Sequence, residues 1–209
     1  MIAGSGETAI TETPSKRALV RRGLFEVVET LVLTVLIFFV VHTFVAQPFR
    51  VEQRSMESTL LPGQYVLVDK LTPRWAPYER GDVVVFQPPE TWESARRDPF
   101  IKRVIGLPGD RIELEDGLVI VNGVELDEPY LFIRAGEPEP TEPGAGGDTW
   151  VVPVGSLFVM GDHRAASADS REFGPINIST VLGRALLRYW PFDTFGPLQR
   201  PAYPALAPG

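Results

Sequence analysis

The sequence predicts a mainly β protein, with an antiparallel β-sheet or barrel-like ectodomain tethered by one N-terminal transmembrane helix. The first observation behind this prediction is an apolar stretch, residues 30–47, that contains no Asp, Glu, Lys or Arg. The second is a series of short strand-like segments that follows it. The third is the pair of dipeptides Asp116-Gly117 and Asn122-Gly123, because such pairs are strong short-range signals for a β-hairpin.

Composition narrows the possible functions. The chain has 209 residues, 44% of them hydrophobic, which is enough for one sizeable core or two small ones. Its net charge of -7 argues against a nucleic-acid partner, since binding to a phosphate backbone requires a basic surface. The chain has no cysteine, which excludes disulfides and thiolate sites, and only two histidines, which disfavours a zinc site. We therefore expect no metal, no cofactor and no nucleic acid.

The N-terminal part divides into a cytoplasmic segment, residues 1–23, and an anchor, residues 24–47. The first 15 residues lack a periodic apolar pattern and are predicted to be disordered. The uncharged stretch of the anchor alone would span about 27 Å as a helix, close to the hydrocarbon thickness of a bilayer. A buried helix of a soluble domain is one alternative, but such a helix normally has a polar face, and this stretch has few polar side chains.

A cleaved signal peptide is the other alternative for this stretch. If Ala46 were the last residue before the cut, the position third from the cut would hold the bulky Phe44, whereas cleavage sites favour small residues. The sequence therefore favours an uncleaved anchor in the lipid bilayer. Four cationic residues precede this anchor, and only Arg50 and Arg54 follow it closely. We expect a single-pass protein of the cell membrane, with a cytoplasmic N-terminus and an extracytoplasmic domain after the anchor.

The extracytoplasmic β-domain is predicted over residues 48–190. Its strands are expected at 64–70, 82–86, 100–105, 111–115, 118–121 and 155–160. A helix-like period occurs within this domain only at residues 179–188. Residues 135–149, here called the acidic loop, are rich in Pro and Gly, which indicates a surface loop or flexible flap. Residues 191–209 are Pro-rich and aperiodic, and we interpret them as a C-terminal tail.

Ser55, a few residues beyond the anchor, is the candidate nucleophile, and a serine needs a base. The candidate bases outside the anchor are His163, Lys70 and Lys102. Lys70 ends a predicted strand and is expected to be solvated. Lys102 lies in an apolar strand, where alternation places it opposite Ile101. If that face is buried, the pKa of the Lys102 amine falls and the neutral amine can accept the serine proton; otherwise Lys102 is a surface lysine.

Five segments follow the anchor along the sequence, and their combination in this order is specific. They are 55–60 (SMESTL), 63–70 (GQYVLVDK), 80–86 (RGDVVVF), 101–110 (IKRVIGLPGD) and 161–171 (GDHRAASADSR). This set resembles the ordered boxes of bacterial type I signal peptidases, which are Ser-Lys serine endopeptidases of peptidase family S26. The resemblance implies a membrane-anchored enzyme that cleaves the signal peptides of exported preproteins after Ala-X-Ala-like sites, through an acyl-enzyme intermediate.

The resemblance also implies roles for individual residues. Ser55 would be the nucleophile and Lys102 the general base, a variant of the serine triad. Ser167 would orient the lysine amine, while Asp169 and Arg171 would pair to hold their loop. The supporting charges of the same loop would be Asp162 and Arg164.

Substrate contacts follow from the same resemblance. The preprotein would lie extended along a strand edge, with small side chains in shallow pockets. These pockets would be lined by Val51, Gln53, Met56, Leu60, Phe100 and Ile101. The oxyanion would be stabilised by the backbone N–H of Ser55 and by the Gln53 amide.

The chain departs from the family pattern at four places. Ser58 replaces the usual proline of the nucleophile box, which removes a fixed φ. Gln53 replaces the usual serine or glycine two residues before the nucleophile. His163 and Ala166 replace residues of a loop that is usually Gly-Asp-Asn-Arg followed by Asn-Ser. Residues 136–149 match no part of the pattern.

Two other functions stay open at this point. In the first, His163 is the base, as in signal peptidases of eukaryotic and archaeal type, although its position in an Asp-rich loop argues against this. In the second, a catalytically silent, membrane-tethered β-domain binds extended peptides, an alternative that Gln53 and Ser58 favour. Self-cleaving repressors share the Ser-Lys chemistry but require a DNA-binding module, and this chain begins with an anchor instead.

Overall fold

In this computed structural model, residues 16–89, 92 and 98–206 are described. Helix α1 spans Lys16–Val40 and continues as a π-helical turn, Val41–Val45. The segment Gly23–Val45 is long and apolar enough to cross a membrane, and none of it is buried within the chain. At about 1.5 Å per residue it measures about 35 Å, more than the hydrocarbon thickness of about 30 Å. The predicted disorder of residues 1–15 lies outside the described residues.

Two threonine hydroxyls of α1 are satisfied within the helix. The hydroxyls of Thr30 and Thr34 donate to the carbonyls four residues earlier, each at 2.8 Å. The apolar side chains point outward: Leu31 is 59% exposed and Phe38 is 67% exposed. A helix that is apolar all round and exposed in the isolated chain is suited to lipid, and it does not have the burial that a core helix of a soluble domain requires.

The rest of the described chain is a β unit that begins at Thr43. Its strands are β1 Ala46–Arg50, β2 Tyr65–Asp69, β3 Val83–Phe86, β4 Phe100–Gly106, β5 Arg111–Glu115, β6 Leu118–Val121, β7 Val124–Glu125, β8 Ile133–Arg134, β9 Glu137–Pro138, β10 Thr149–Val151, β11 Ser156–Met160, β12 Ile176–Asn177, β13 Val181–Trp190 and β14 Gly196–Pro197. A short helix, α2, spans Ser170–Phe173. The six predicted strands are confirmed, and each predicted end is either identical to the observed one or differs from it by one residue.

The strands form three antiparallel sheets in the part of the chain that the structure describes. The largest has the order β1-β2-β13-β3-β4-β11-β12, and β14 pairs with β13. A second sheet has the order β10-β5-β6-β7, and β8 pairs with β9. The prediction of a mainly antiparallel β fold with one N-terminal apolar helix is confirmed.

The hairpin turns form where the dipeptides predicted them. Asp116 and Gly117 connect β5 to β6 with φ angles of 51° and 80°. Asn122 and Gly123 connect β6 to β7 with φ angles of 52° and 79°. Positive φ at both positions matches the right-handed twist of the flanking strands, and Asn, Asp and Gly adopt it at least cost.

The helix-like interpretation of residues 179–188 is wrong. Residues 181–190 form β13, which pairs with both β2 and β3 near the middle of the large sheet. The apolar residues of this stretch fit either a helical or a strand period, so local sequence does not decide between them. Pairing with two neighbouring strands decides it: Gly183 lies so close to the Asp69 carbonyl that a Cβ there would overlap it.

The two faces of β4 pack in different hydrophobic clusters, and this places the candidate base. Ile101 packs with Val83 and Val85 in one cluster. Phe100 and Val104, on either side of Lys102 in the alternation, pack in another cluster with β3 and β11. Lys102 is therefore on the opposite face from Ile101, as the alternation predicted, and that face is buried.

The segment interpreted as a C-terminal tail packs on the β unit. β14 pairs with β13, and Leu198 contacts the cluster that contains Ile101. Tyr203 and Leu206 pack against a third cluster, built around β5, β6 and β11. The described part of this segment thus contributes apolar contacts to the domain.

Candidate active site

Ser55 lies in a short 3₁₀ turn, Arg54–Met56, that follows β1. The next turn is of type II: the Thr59 N–H donates to the Met56 carbonyl at 3.0 Å, and Ser58 has a φ of 90°. A proline cannot adopt this φ, because its ring fixes φ near −65°. The serine at this position therefore permits a turn that the usual proline of the family pattern would exclude.

Lys102 lies in the middle of β4 and contacts Ser55 directly. The Nζ of Lys102 is 2.6 Å from the Oγ of Ser55, a hydrogen-bond distance. The two side chains are 1% and 3% exposed, respectively. The amine also lies 5.2 Å from the centroid of the Phe100 ring. The alternative of a surface lysine is excluded by this burial, and the geometry suits proton transfer between the two groups.

Burial lowers the pKa of the Lys102 amine from 10.5 to about 8. The nearby carboxylates of Asp169 and Asp162 oppose this change by favouring the charged amine, and the guanidinium of Arg171 reinforces it. A lysine in this environment carries a substantial neutral fraction near pH 8, and only the neutral amine can accept a proton.

Asp169 holds together the loop 161–171, here called the wall of the site. Its carboxylate caps α2 and accepts from Arg171 through Nε at 2.9 Å and Nη2 at 3.0 Å. It also accepts from the backbone N–H of Gly161 at 3.0 Å and from the Ser167 hydroxyl at 2.6 Å. Burial acts to raise the pKa of Asp169, but the Arg171 guanidinium and these hydrogen bonds outweigh it, so the pKa is below its usual value.

Ser167 donates to Asp169, and the described contacts contain no hydrogen bond between Ser167 and the Lys102 amine. A hydroxyl that donates still has lone pairs with which to accept. The predicted orienting role of Ser167 toward Lys102 therefore stays a prediction.

Asp162 and Arg164 do not pair with each other. Asp162 accepts two hydrogen bonds from Arg103, whereas Arg164 forms an ion pair with Glu128 at 2.5 Å. Arg164 also donates to the Gly161 carbonyl at 3.0 Å and to the Thr141 hydroxyl. Both charges thus support the loop 161–171, through partners that lie far away in the sequence.

Gly161 lies between Ser55 and Ser167. A Cβ at position 161 would overlap the carbonyl oxygen of Ser55 and the Oγ of Ser167. Two residues later, the backbone N–H of His163 donates to the same Ser55 carbonyl at 3.0 Å. The absence of a side chain at Gly161 allows this close approach.

A cleft opens beside Ser55, between the segment after β1 and the start of β4. Its lining comprises Arg50, Val51, Glu52, Gln53, Ser55, Met56, Asp98, Pro99 and Ile101. Four of the predicted pocket residues thus line one cleft with Ser55. The other two do not line it: Leu60 packs below, in the cluster of Val51 and Met56, and Phe100 packs on the opposite face of β4.

Gln53 precedes the 3₁₀ turn and is exposed at the edge of the cleft. Its side chain does not cap the turn. The amide can therefore turn toward a bound carbonyl without losing a capping hydrogen bond, and its role at the oxyanion stays a prediction.

His163 lies away from the Ser55 hydroxyl in the described contacts. Its Nδ1 is 2.8 Å from Oε2 of Glu57, and its ring stacks on Phe132 with centroids 4.0 Å apart. The Ser55 hydroxyl contacts Lys102 instead. This arrangement does not favour the alternative in which His163 is the base.

The acidic loop packs against the active-site wall, which sequence reasoning missed. Glu139 and Thr141 are 3% and 1% exposed. Glu139 accepts from the Ala165 N–H at 2.9 Å, and the Gly146 N–H donates to the Arg171 carbonyl at 3.0 Å. A signal was present in the dipeptide Ala135-Gly136, which forms a two-residue turn between β8 and β9 with φ angles of 54° and 94°.

The chain is similar to known proteins over most of its length. The family described as "Signal peptidase, peptidase S26" matches residues 24–190. Signal peptidase IB of Staphylococcus aureus (strain Mu50 / ATCC 700699) is 33% identical over 185 residues, which cover 84% of this chain and 94% of the relative. Signal peptidase I of Bacillus caldolyticus is 38% identical over 160 residues, covering 73% and 84%, respectively. A crystal structure of signal peptidase I from Enterococcus faecalis V583 aligns with a TM-score of 0.41 at 32% identity, covering 52% of this chain and 97% of that one.

Proposed function

Because this chain belongs to the signal peptidase I family of serine endopeptidases, we propose that Ser55 is its nucleophile and Lys102 its general base. Membership of the family makes the chain a hydrolase of signal-peptide processing. The proposal adds the residues, the cleavage rule and the membrane topology. The observation that carries it is the 2.6 Å distance between Lys102 Nζ and Ser55 Oγ, at a lysine that is 1% exposed.

Acylation begins with the neutral amine of Lys102. It takes the proton of the Ser55 hydroxyl as Oγ attacks the scissile carbonyl carbon, and the carbonyl π-electrons move to oxygen. The backbone N–H of Ser55 and the Gln53 amide stabilise this oxyanion. When the tetrahedral intermediate collapses, the Lys102 ammonium gives its proton to the departing amine of the mature protein, and the signal peptide stays bound to Ser55 as an ester.

Deacylation uses the same pair in reverse. The neutral Lys102 amine takes a proton from water, whose oxygen attacks the ester carbonyl. The new tetrahedral intermediate expels Ser55 Oγ, which receives the proton from Lys102, and the signal peptide leaves with a free carboxylate. The wall built on Asp169 keeps the lysine surrounded by protein during both steps.

The cleft beside Ser55 selects the substrate. An extended peptide that lies between the segment after β1 and the start of β4 would direct alternate side chains toward Val51, Met56 and Ile101. These three residues are buried and belong to one packed cluster, so the cleft has little room to deepen. Small residues one and three positions before the cut are therefore accepted, and bulky ones are excluded.

The segment Gly23–Val45 anchors the enzyme in the lipid bilayer. Its length and apolar surface support a single membrane span. The cationic residues before it favour a cytoplasmic N-terminus, with the β unit outside the plasma membrane. The substrates are then exported preproteins whose signal peptides reach the same face of the membrane.

The proposal is tested with full-length protein in detergent and a preprotein that carries an Ala-X-Ala site. We expect Ser55→Ala and Lys102→Ala to lose cleavage by a factor of about 10³ or more, since nucleophile and base act as a unit. Lys70→Ala is the matched control, because Lys70 is partly exposed and hydrogen-bonds Gln47 at 3.4 Å, and it should cleave like the unmodified protein. Substantial cleavage by Lys102→Ala would refute the lysine mechanism. If the unmodified protein left the preprotein intact, and Ser55→Ala bound the preprotein as well as the unmodified protein does, the chain would be a silent peptide-binding domain instead.

A further inference from the structure

The segment 55–59, here called the nucleophile segment, contacts the loop 161–171 at every second residue. The Ser55 carbonyl accepts from the His163 N–H at 3.0 Å. Glu57 contacts the His163 imidazole at 2.8 Å, and the Thr59 hydroxyl donates to Asp162 at 2.5 Å. A 3₁₀ turn of three residues is too short to fix its own orientation. These three contacts therefore help to set the position of Ser55.

The contact between Glu57 and His163 is the one that joins two buried, ionisable side chains. His163 is 5% exposed and Glu57 is 9% exposed. The carboxylate of Glu57 can only accept a hydrogen bond, so the proton of the pair lies on Nδ1 of His163, which donates. The stacking of Phe132 on the imidazole, with centroids 4.0 Å apart, fixes the plane of the ring.

Charges on both sides favour this arrangement. Arg54 donates to Glu57 at 2.7 Å, and this hydrogen bond, together with that from His163, outweighs burial and lowers the pKa of Glu57. On the other side of the ring, Nε2 of His163 lies 3.7 Å from Glu139, which pairs with Arg134 at 2.6 Å. Within the described part of the chain, Glu57 and Glu139 are the carboxylates that lie within 4.0 Å of the imidazole nitrogens.

We propose that Glu57 and His163 are positioning residues, whose hydrogen bond holds the nucleophile segment so that the Ser55 hydroxyl stays against the Lys102 amine and water stays out. This inference rests on the proposed function, because it concerns the geometry of the Ser55–Lys102 pair. Glu57 and His163 act through the backbone of the segment 55–59, and neither side chain contacts the reacting atoms.

Loosening this contact has two consequences. The Oγ to Nζ distance grows, and misplacement of a nucleophile by about 1 Å can cost on the order of 10²-fold in rate. Water also reaches the amine, so that burial no longer lowers the pKa of Lys102 and this pKa moves toward 10.5. A loss of folded protein alone would reduce activity without moving that pKa.

The test compares Glu57→Ala and His163→Leu with two conservative variants. In His163→Asn, Nδ2 occupies the position of the imidazole Nδ1 and can still donate to Glu57. In Glu57→Gln, the side-chain carbonyl can still accept from His163. We measure kcat and KM for a preprotein between pH 6 and 10.5, and normalise to the folded fraction from circular dichroism.

We expect the two disruptive variants to lose about tenfold in kcat, with KM changed less than about twofold, since positioning acts on the chemical step. Their apparent pKa for kcat/KM should rise by about one unit, toward that of a solvated lysine. The conservative variants should stay within about threefold of the unmodified kcat, with an unshifted pKa.

Three results would overturn the inference. They are an unshifted pKa in both disruptive variants, a loss confined to KM, and a His163→Asn protein as impaired as His163→Leu. Should Glu57→Ala or His163→Leu fail to fold, the comparison of Glu57→Gln with the remaining variant decides by the same criteria. Normal cleavage by Lys102→Ala would instead refute the proposed function itself. The results with the Glu57 and His163 variants bear only on the positioning inference.

Discussion

Arg103 and Asp162 form a two-point contact, with Nε 2.9 Å from Oδ1 and Nη2 2.7 Å from Oδ2. Their side chains are 2% and 0% exposed. Arg103 follows Lys102 in β4, and Asp162 precedes His163, so this ion pair joins the strand that carries Lys102 to the loop that contacts the backbone of Ser55. Arg103 also stacks on Tyr130, with its guanidinium carbon 4.0 Å from the ring centroid.

We expect Asp162→Ala to lower the free energy of unfolding by about 3–5 kcal/mol, because it leaves the Arg103 charge buried without a partner. Urea unfolding followed by circular dichroism measures this change. Asp127→Ala, at an exposed site, is the control and should change stability by less than about 0.5 kcal/mol. A double variant, Arg103→Met with Asp162→Leu, should be more stable than Asp162→Ala, and a double variant that was less stable would contradict the buried-charge explanation.

The pH dependence of cleavage should follow the protonation of Lys102, whose pKa is about 8. Only the neutral amine accepts the Ser55 proton, so kcat/KM should rise with pH through about 8 and level off above it. At pH 7 the rate should be about one tenth of the plateau, as expected for a group one pH unit below its pKa. Steady-state cleavage of a preprotein between pH 6 and 10 checks this, and a flat profile would be incompatible with a titrating lysine.

Replacing the base should stabilise the protein while abolishing its activity. The Lys102 amine has a pKa of about 8 when folded and 10.5 ordinarily, so the unfolded chain holds the proton more tightly and stability rises as pH increases from 8 to 10.5. Below pH 8 the buried charge costs about 3 kcal/mol, which Lys102→Met removes.

Thermal and urea unfolding of Lys102→Met at pH 6.5 and pH 10 measure this gain. The gain should be largest at pH 6.5 and should shrink at pH 10, where the unmodified amine is neutral when folded. Lys70→Met serves as the matched lysine replacement, without a comparable gain. Equal gains at both pH values would show that the charge of Lys102 is not the cause.

Ser58 should be replaceable by glycine with a gain in stability. Its φ of 90° at the third position of a type II turn favours glycine, which has no Cβ to strain. We expect Ser58→Gly to raise the free energy of unfolding by about 0.5–1 kcal/mol, and Ser58→Pro to lower it, since proline cannot adopt this φ. Ser58→Ala isolates the loss of the hydroxyl. If Ser58→Pro proved more stable than Ser58→Gly, the turn would be of another type in solution.

Gly144 should not tolerate a side chain. A Cβ there would lie 2.6 Å from the carbonyl oxygen of Arg171, the residue that holds Asp169. We expect Gly144→Ala to lower the free energy of unfolding by about 1–3 kcal/mol through overpacking, and to reduce cleavage as the wall shifts. Ala145→Ser, at the exposed next position, is the control and should leave both quantities unchanged. Normal stability and cleavage in Gly144→Ala would mean that the acidic loop does not support the wall.

The parts of the fold that sequence predicts are those set by local chemistry. The turns at Asp116-Gly117 and Asn122-Gly123 form as expected, because positive φ is a property of those residues themselves. The strand at residues 181–190 is not predictable in this way, because its apolar residues fit both a helical and a strand period and only its pairing with β2 and β3 distinguishes them.

The candidate site shows the same division. Ser55 and Lys102 are recognisable in the sequence, but whether Lys102 is buried depends on the packing of β3, β4 and β11. The role of the acidic loop is invisible in its composition. Glu139 and Thr141 are buried against partners more than 20 residues away: Glu139 accepts a hydrogen bond from the Ala165 N–H, and Thr141 accepts one from Arg164.

Gly161 limits how this protein can vary. A methyl group on its Cα would overlap both the Ser55 carbonyl oxygen and the Ser167 hydroxyl oxygen, so there is no room for one. Any side chain at position 161 would therefore displace Ser55 or Ser167. The volume of the side chain therefore limits which residues position 161 tolerates. Even alanine, which adds only a methyl group and arises by a single-base change, should behave in a genetic screen like loss of the enzyme.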